Sequence, residues 1–226
     1  RTFLTGFSVA WGIFMLIVLL GSGNGLMNGF QSNFADRATN SIKVYGSRTS
    51  KTFEGMQKGR VIQLDNTDML NTETKFPAHV GVAGAILKMN NRTISKGDEY
   101  VVCSLVGVEP SYVEIEPYRV AENNGRFINK LDLDERRKVI VIHPRTAETL
   151  FKGRNAVGEY VNVNGIAYKV VGVYVQNKER NDQDAFVPFT TAQNVYIKGD
   201  KIDQILFTTK GLDTREKGDA FEQSYK

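Results

Sequence analysis

Residues Val9 to Leu20 read Val-Ala-Trp-Gly-Ile-Phe-Met-Leu-Ile-Val-Leu-Leu, and no charged side chain occurs between Arg1 and Asp36. The apolar run from Phe3 to Leu20 is 18 residues long. A helix of that length, rising 1.5 Å per residue, extends about 27 Å and so matches the hydrocarbon core of a bilayer. The run therefore predicts a transmembrane helix. The side chains that we assign to this span are Trp11, Phe14, Leu16 and Leu20.

An apolar stripe continues beyond this span. Leu26, Phe30, Phe34 and Ala38 fall four residues apart, so they would share one face if the helix continued. Such a stripe suits a stalk that docks on a soluble domain or on a partner helix, and it equally suits the core face of a surface helix. We assign Leu26, Phe30 and Phe34 to a stalk and expect the helix to reach about residue 38.

Two other interpretations of the N-terminal run are open. A buried helix of a soluble protein can be apolar on all sides, although 18 residues without a charge is long for one. A cleaved signal peptide also combines a basic residue with an apolar run, but the segment from Gly21 to Gly25 fits its cleavage site poorly. Because the chain begins at Arg1 rather than at methionine, we expect it to be part of a longer protein.

The remaining residues have the composition of an ordinary globular domain. Of the 226 residues, 29 are basic and 25 acidic, which gives a net charge of +4. No basic block is longer than Arg136-Arg137-Lys138, so the pattern indicates no nucleic-acid partner and at most an attraction to anionic lipid headgroups. The single cysteine, Cys103, lies in an apolar run and is typical of a small buried residue of a strand.

The sequence predicts no catalytic, cofactor-binding or metal-binding residue in this chain. His79 and His143 are its only histidines, and neither has a cysteine or carboxylate at ligand spacing. Ser22 lacks the surrounding G-x-S-x-G pattern of a hydrolase nucleophile. The glycine-rich segment from Gly21 to Gly25 has no lysine after it and no strand before it, so it does not match a phosphate-binding loop.

Alternation and turn residues predict a mixture of strands and helices after the stalk. In the first part we expect a strand at 41–46, a helix from a cap at Asn66 or Thr67 to Phe76, extended runs at 80–89, 92–95 and 99–108 with reversals at Asn90-Asn91 and Lys96-Gly97-Asp98, and a short helix after Pro110. In the second part we expect strands at 139–142, 160–164, 167–175, 185–188 and 202–208, and helices at 144–151, at 192–197 with a cap at Thr190 or Thr191, and from Asp213 onward.

The order and spacing of several short motifs together are more specific than any motif alone. They are Gly125-Arg126-Phe127-Ile128 with Asp132 downstream, Val139 to Ile142, Val157-Gly158-Glu159, Tyr168 to Val173 with Gly172, and Ala185-Phe186-Val187-Pro188 followed by Thr190-Thr191. In these motifs the chain resembles the MacB-type permeases of ABC transporters, a class that also contains lipoprotein-releasing permeases and FtsX-like proteins. The residues that carry the resemblance are Gly125, Arg126, Phe127, Gly158, Gly172, Pro188 and Thr191.

The resemblance implies an α+β fold. A transmembrane and stalk helix (1–40) would precede a two-lobed periplasmic domain that lies between the first two of four transmembrane helices. A porter-like α/β lobe (41–122 and 199–226) would carry an inserted β-rich lobe (123–198).

The resemblance also implies a function that needs no reactive residue in this chain. ATP would bind to a cytoplasmic ATPase domain or subunit, and two permease chains would move together in the bacterial inner membrane. The residues after about 40 would lie in the periplasm and carry this motion to an adaptor and an outer-membrane channel, for efflux of a drug, peptide or toxin. Release of lipoproteins and regulation of a cell-wall hydrolase are the alternatives within the class. A membrane-anchored sensor or binding domain is the alternative from another class.

Overall fold

The N-terminal helix α1 (Thr2–Ala35) is 34 residues long and unbroken. The computed structural model describes residues 2–35, 40–52, 55–116, 118–175, 182–197, 199–212 and 215–225, and the side chains of α1 only at Phe3 and from Gly6 to Asn24. At 1.5 Å per residue α1 is about 51 Å long. The predicted continuation through Leu26, Phe30 and Phe34 is confirmed for the backbone, whereas the predicted end near residue 38 and the stripe itself lie outside what is described.

The chain divides into two units, Arg1–Thr39 and Asn40–Lys226. In the second unit the strands are β1 (Ser41–Tyr45), β2 (Leu64–Asp65), β3 (Val80–Lys96), β4 (Glu99–Val108), β5 (Val120–Gly125), β6 (Val139–Ile142), β7 (Tyr160–Val163), β8 (Ile166–Tyr174), β9 (Ala185–Pro188), β10 (Lys201–Ile202) and β11 (Gln204–Thr209). The helices are α2 (Asn66–Lys75), α3 (Tyr112–Ile115), α4 (Lys130–Asp134), α5 (Pro144–Phe151), α6 (Phe189–Ala192), a π-helical turn (Gln193–Ile197) and α7 (Arg215–Tyr225).

Nine strands form one mixed sheet in the order β1-β11-β3-β4-β9-β6-β8-β5, with β7 paired to β3 and β8. The pairs β4–β9 and β6–β8 are parallel and the others are antiparallel. Strands β6 and β9 are buried along their whole length, as their continuous apolar sequences require. The predicted mixture of helices and strands is therefore confirmed.

The predicted reversal at Asn90-Asn91 is wrong. β3 runs through both residues as a single 17-residue strand, and its register against β4 shifts between Met89 and Arg92. Asn91 has a φ of 55°, a left-handed conformation that asparagine tolerates better than most residues. One extra residue of β3 is thus absorbed as a bulge, and the chain reverses at the predicted Lys96-Gly97-Asp98 turn, where Gly97 has a φ of 60°.

Two predicted helix caps are also wrong. The N-cap of α2 is Asp65, whose carboxylate accepts hydrogen bonds from the backbone amides of Thr67 and Asp68 in a capping box. Thr190 and Thr191 lie inside α6, and their hydroxyls donate instead to the carbonyl oxygens of Leu133 and Arg137. In α2 the residue before the predicted cap binds the free amides. In α6 the predicted capping hydroxyls bind carbonyl oxygens of a distant segment.

The predicted boundaries at 123 and 199 do not coincide with a break in the sheet. β5 runs through residue 123, and the segment 123–198 pairs with the preceding part of the chain through β3–β7 and β4–β9. Residues 40–226 form one compact unit. The division into two lobes therefore stays a prediction.

We expect Asp65→Ala to lower the free energy of unfolding by about 1 kcal/mol, because two amides at the start of α2 lose their acceptor. Thr67→Ala is the matched control and should change the unfolding free energy by less than half as much. Urea unfolding followed by circular dichroism measures both. Equal effects of the two substitutions would contradict the assignment of Asp65 as the N-cap and would favour the predicted cap at Thr67.

Candidate functional site

The two ends of the sheet-forming chain are joined at one edge of the sheet. β1 is the first strand after α1, and it pairs antiparallel with β11, the last strand, from Ser41 opposite Thr208 to Tyr45 opposite Gln204. One residue further, the Asn40 side-chain amide donates to the Thr209 carbonyl oxygen at 2.6 Å, and the Thr209 amide donates to the Asn40 carbonyl oxygen at 2.7 Å. The Thr209 hydroxyl donates to the same Asn40 oxygen at 2.9 Å. We call this arrangement the Asn40–Thr209 clamp.

An ion pair ties the same edge strand to the rest of the domain. The Lys43 ammonium on β1 contacts the carboxylate of Glu116, which follows α3 and is only 4% exposed. A buried carboxylate needs such a partner, because desolvation of an unpaired charge is costly. β1 is therefore held by the sheet at one side and by a charged contact to a second element.

The C-terminal helix α7 docks on the domain through aromatic rings. Phe221 packs edge-on against Phe76, with ring centroids 5.5 Å apart, and lies 6.1 Å from Phe207 of β11. The Tyr225 hydroxyl lies 2.7 Å from the hydroxyl of Thr72 on α2. The helix α7 is thus fixed to the domain up to Tyr225, the last described residue.

The helix α1 carries the predicted membrane span. Gly6–Asn24 is long and apolar enough to cross a membrane, and none of that window is buried in the structure. Phe7, Trp11 and Phe14 form a ladder of rings, with centroids 6.3 Å and 5.6 Å apart. The side chains of Trp11, Phe14, Leu16 and Leu20 are exposed, and those of Leu26, Phe30 and Phe34 lie outside the described part. This exposure does not suit a helix buried in a soluble core.

The structure brings two of the motif glycines together across the sheet. Gly125 of β5 is opposite Gly172 of β8, and Gly125 has a φ of 89°. A Cβ atom on Gly172 would lie 2.2 Å from the Arg126 carbonyl oxygen, and one on Gly125 would lie 2.2 Å from the Val171 carbonyl oxygen. Only glycine allows the two backbones to approach this closely.

Arg126 is held beside these glycines by Asp132, which is fully buried. The two guanidinium nitrogens of Arg126 donate to the two carboxylate oxygens of Asp132, and the Asn129 amide donates to the same carboxylate. Burial alone would raise the pKa of the Asp132 carboxyl, but these hydrogen bonds outweigh burial, and the pKa lies below its usual range. The pair therefore orders the loop between β5 and α4 while Asp132 stays ionised.

The other motif residues have structural positions in the same half of the sheet. Phe127 packs against Phe186 of β9, with ring centroids 5.6 Å apart. Gly158, with a φ of 94°, donates its amide to the Val170 carbonyl oxygen. Pro188 ends β9, and the hydroxyl of Thr191, 1% exposed, binds the Arg137 carbonyl oxygen. The described contacts of these residues are thus packing and backbone hydrogen bonds around β5, β8 and β9.

The two histidines have structural contacts. The Nδ1 atom of His143 accepts a hydrogen bond from the Arg145 backbone amide at the start of α5. The pKa of His143 is lowered, mainly by burial and to a smaller extent by the positive charge of Arg145. The ring of His79 packs against Phe221. Within the described ranges no group of three His, Cys, Asp or Glu side chains could hold a metal ion.

Comparison with known proteins assigns the family. A model of the MacB-like periplasmic core domain matches residues 2–220, so the chain belongs to the MacB-like periplasmic core domain family. It is 29% identical over 196 residues to the macrolide export ATP-binding/permease protein MacB of Vibrio parahaemolyticus, a match that covers 84% of this chain and 29% of that protein. A second MacB, from Syntrophobacter fumaroxidans, is 24% identical over 173 residues, or 76% of this chain and 24% of that protein. The chain thus spans less than a third of either relative.

Two solved structures share the fold. The periplasmic region of MacB from Actinobacillus actinomycetemcomitans superposes with a TM-score of 0.67 at 17% identity, covering 85% of this chain and 84% of that one. The extracellular domain of the transporter YknZ from Gram-positive bacteria gives a TM-score of 0.65 at 17% identity, covering 77% and 86%. These two structures show that the fold is shared, and the family match over residues 2–220 confirms the predicted resemblance to MacB-type permeases.

The contacts of Asn40 and Thr209 were missed in the sequence. These residues are 169 positions apart, and no motif or periodicity links them. The usual expectation would not have found them, because strands that are consecutive in sequence pair most often and β1 and β11 are the first and last strands.

We expect Asp132→Asn to lower the free energy of unfolding by about 1–3 kcal/mol at neutral pH. The substituted side chain still accepts the hydrogen bond from the Asn129 backbone amide, but it no longer carries the negative charge that faces Arg126. Solvent screens part of this loss, because Arg126 is partly exposed. Because folding lowers the pKa of Asp132, its contribution is fully present above the ordinary aspartate value of about 3.9 and is lost as pH falls through the folded value.

The stability difference between the wild type and Asp132→Asn should therefore be constant from about pH 5 to about pH 7 and shrink below about pH 3.9. Urea unfolding across this range measures it, and Asp134→Asn, an exposed aspartate of α4, is the control that should have little effect at any pH. A difference that grows toward acidic pH would contradict the assignment of an ionised Asp132.

Proposed function

We propose that this chain is the periplasmic core domain, with its first transmembrane helix, of an ABC-type efflux permease, and that it couples ATP hydrolysis on a cytoplasmic ATPase to movement outside the inner membrane. The observation that carries the proposal is the Asn40–Thr209 clamp. It joins the strand that follows α1 to the strand that precedes α7, so both chain connections leave the same end of one edge of the sheet.

The geometry of that edge suits the transmission of force. Hydrogen bonds of an antiparallel pair run perpendicular to the strands, so a load along β1 is shared by the five register pairs of β1 and β11 rather than by one bond. The contact of Lys43 with Glu116 adds a second attachment. Displacement of the residues before Asn40 would therefore reach the nine-stranded sheet without first separating β1 from it.

The helix α1 supports the same mechanism. Its 34 residues contain no break, and a continuous helix can transmit a displacement along its length as a stiff rod. ATP binding and hydrolysis would draw two permease chains together, and the helices would carry that motion out of the membrane. No reactive residue of this chain takes part in such a mechanism.

The relatives favour efflux among the uses of such a machine. The proteins of Vibrio parahaemolyticus and Syntrophobacter fumaroxidans are both described as macrolide export proteins. We propose that this chain acts with a second permease chain, an ATPase domain or subunit, a periplasmic adaptor and an outer-membrane channel in the export of a drug, peptide or toxin.

We expect that two glycines inserted after Phe30 in the complete transporter will abolish transport and leave ATP hydrolysis active, because the flexible insert breaks the rod between membrane and domain. Drug resistance of a sensitive strain measures transport, and phosphate release by the purified transporter measures hydrolysis. The same insertion after Gly59, a surface turn with a φ of 89°, is the control that should retain both activities. Normal resistance after the Phe30 insertion would overturn the proposed coupling.

A further inference from the structure

A pocket of about 360 Å³, lined mostly by residues with polar side chains, opens at the π-helical turn that follows α6. We call it the Gln193 pocket. It is lined by Asn66, Arg136, Thr190, Gln193, Asn194, Gly199 and Asp200. Its volume lies at the lower end of the range for small-molecule sites. Its walls come from four separated parts of the chain, so only the folded domain forms it.

Gln193 is the buried polar group of this pocket, at 8% exposure. Its side-chain nitrogen donates to the Asn66 side-chain oxygen at 3.0 Å and to the Lys201 carbonyl oxygen at 3.1 Å. These two bonds fix the orientation of both carboxamides. They leave the Gln193 oxygen as an acceptor and the Asn66 amino group as a donor for a ligand. π-Helical turns occur frequently at functional sites, and this one places Gln193 and Asn194 on the same wall.

Arg136 lines the pocket at a position where glycine would be favoured. It follows α4 with a φ of 51°, the left-handed conformation in which helices usually end at glycine. Its guanidinium makes no ion pair or hydrogen bond with any residue that the structure describes, in contrast to Arg126 and Arg137 beside it. An arginine that has a left-handed backbone conformation and no side-chain partner among the described residues is a candidate for ligand binding.

Asp200 supplies the opposite charge. Its backbone carbonyl oxygen accepts the Asn66 amide at 3.0 Å, which holds this residue at the rim. Its carboxylate has no ion-pair partner among the described residues. The pocket therefore combines the carboxamides of Asn66, Gln193 and Asn194 with a cation and an anion that form no ion pair with any described residue.

We propose that the Gln193 pocket binds a small zwitterion of the amino-acid class, either free or as a short peptide. The planar guanidinium of Arg136 is suited to a carboxylate, Asp200 is suited to an ammonium group, and the carboxamides are suited to the remaining amide or carbonyl groups. A ligand with a single charge would leave the other charged side chain without a partner. This proposal does not depend on the proposed role in transport.

The test measures binding to the full chain in detergent by isothermal titration calorimetry, with four probes: alanine, trialanine, acetate and methylammonium. We expect alanine or trialanine to bind at least ten times more tightly than either singly charged probe. Tighter binding of alanine would indicate a free amino acid as the ligand, and tighter binding of trialanine would indicate a short peptide. Equal affinity for acetate, or no binding of either zwitterion, would overturn the proposal.

Arg136→Gly separates binding from folding. Because glycine relieves the left-handed strain, this variant should have a slightly higher urea midpoint than the wild type and should lose at least ten-fold in affinity for the bound zwitterion. The matched control is Lys152→Gly, which removes a basic residue with the same φ of 51° outside the pocket and should leave affinity unchanged. Retained affinity in Arg136→Gly would contradict the assignment of Arg136 as the carboxylate anchor.

Discussion

The pairing of β1 with β11 closes one edge of the domain. It places the first and last strands of the sheet side by side, and the bonds between Asn40 and Thr209 extend that pairing to the point where both connections leave the sheet. Because β11 also pairs with β3, the edge is continuous with the central strands. In the proposed mechanism, a motion imposed on Asn40 would therefore act on the whole sheet.

A second constraint is the close approach of β5 to β8. Gly125 and Gly172 let the two backbones come within a distance that no side chain permits, and the chain then turns so that Arg126 meets the buried Asp132. The Phe127 ring packs on Phe186 in the same turn. These contacts explain why the motif that carries the family resemblance is built from glycines, an arginine and an aromatic residue although the domain has no catalytic role in the proposed mechanism.

Some helices, strands and turns could be predicted because their own residues favour a single conformation. The apolar run Val139–Ile142, the proline at the start of α5 and the Asn164-Gly165 turn are of this kind, and the structure confirms all three. Asn90-Asn91 is different, because asparagine accepts a left-handed conformation both in a turn and in a bulge. The pairing of β3 with β4 decides between the two, and that pairing is not visible in the local sequence.

The same limit applies to the candidate site. Trp11 and its apolar neighbours could be recognised from composition alone, whereas the partner of Asn40 is 169 residues away. The predicted cap of α6 failed for the same reason. Thr190 and Thr191 have the hydroxyls that a cap needs, but these donate to the carbonyl oxygens of Leu133 and Arg137, which belong to a distant segment. Contacts between distant segments follow from the assembled sheet, and the sequence specifies them only through the fold.

Hydrogen exchange at the Thr209 amide, measured in the complete protein with and without ATP, tests whether β1 and β11 stay paired when the domain moves. This amide donates to Asn40 and closes the clamp. If the edge moves as one body with the sheet, the Thr209 amide will exchange as slowly as the amides of the buried strand β6, with and without ATP. Exchange as fast as that of the Gly97 and Asp98 amides, which are exposed in the turn between β3 and β4, would show that β1 and β11 separate and would contradict the proposed coupling.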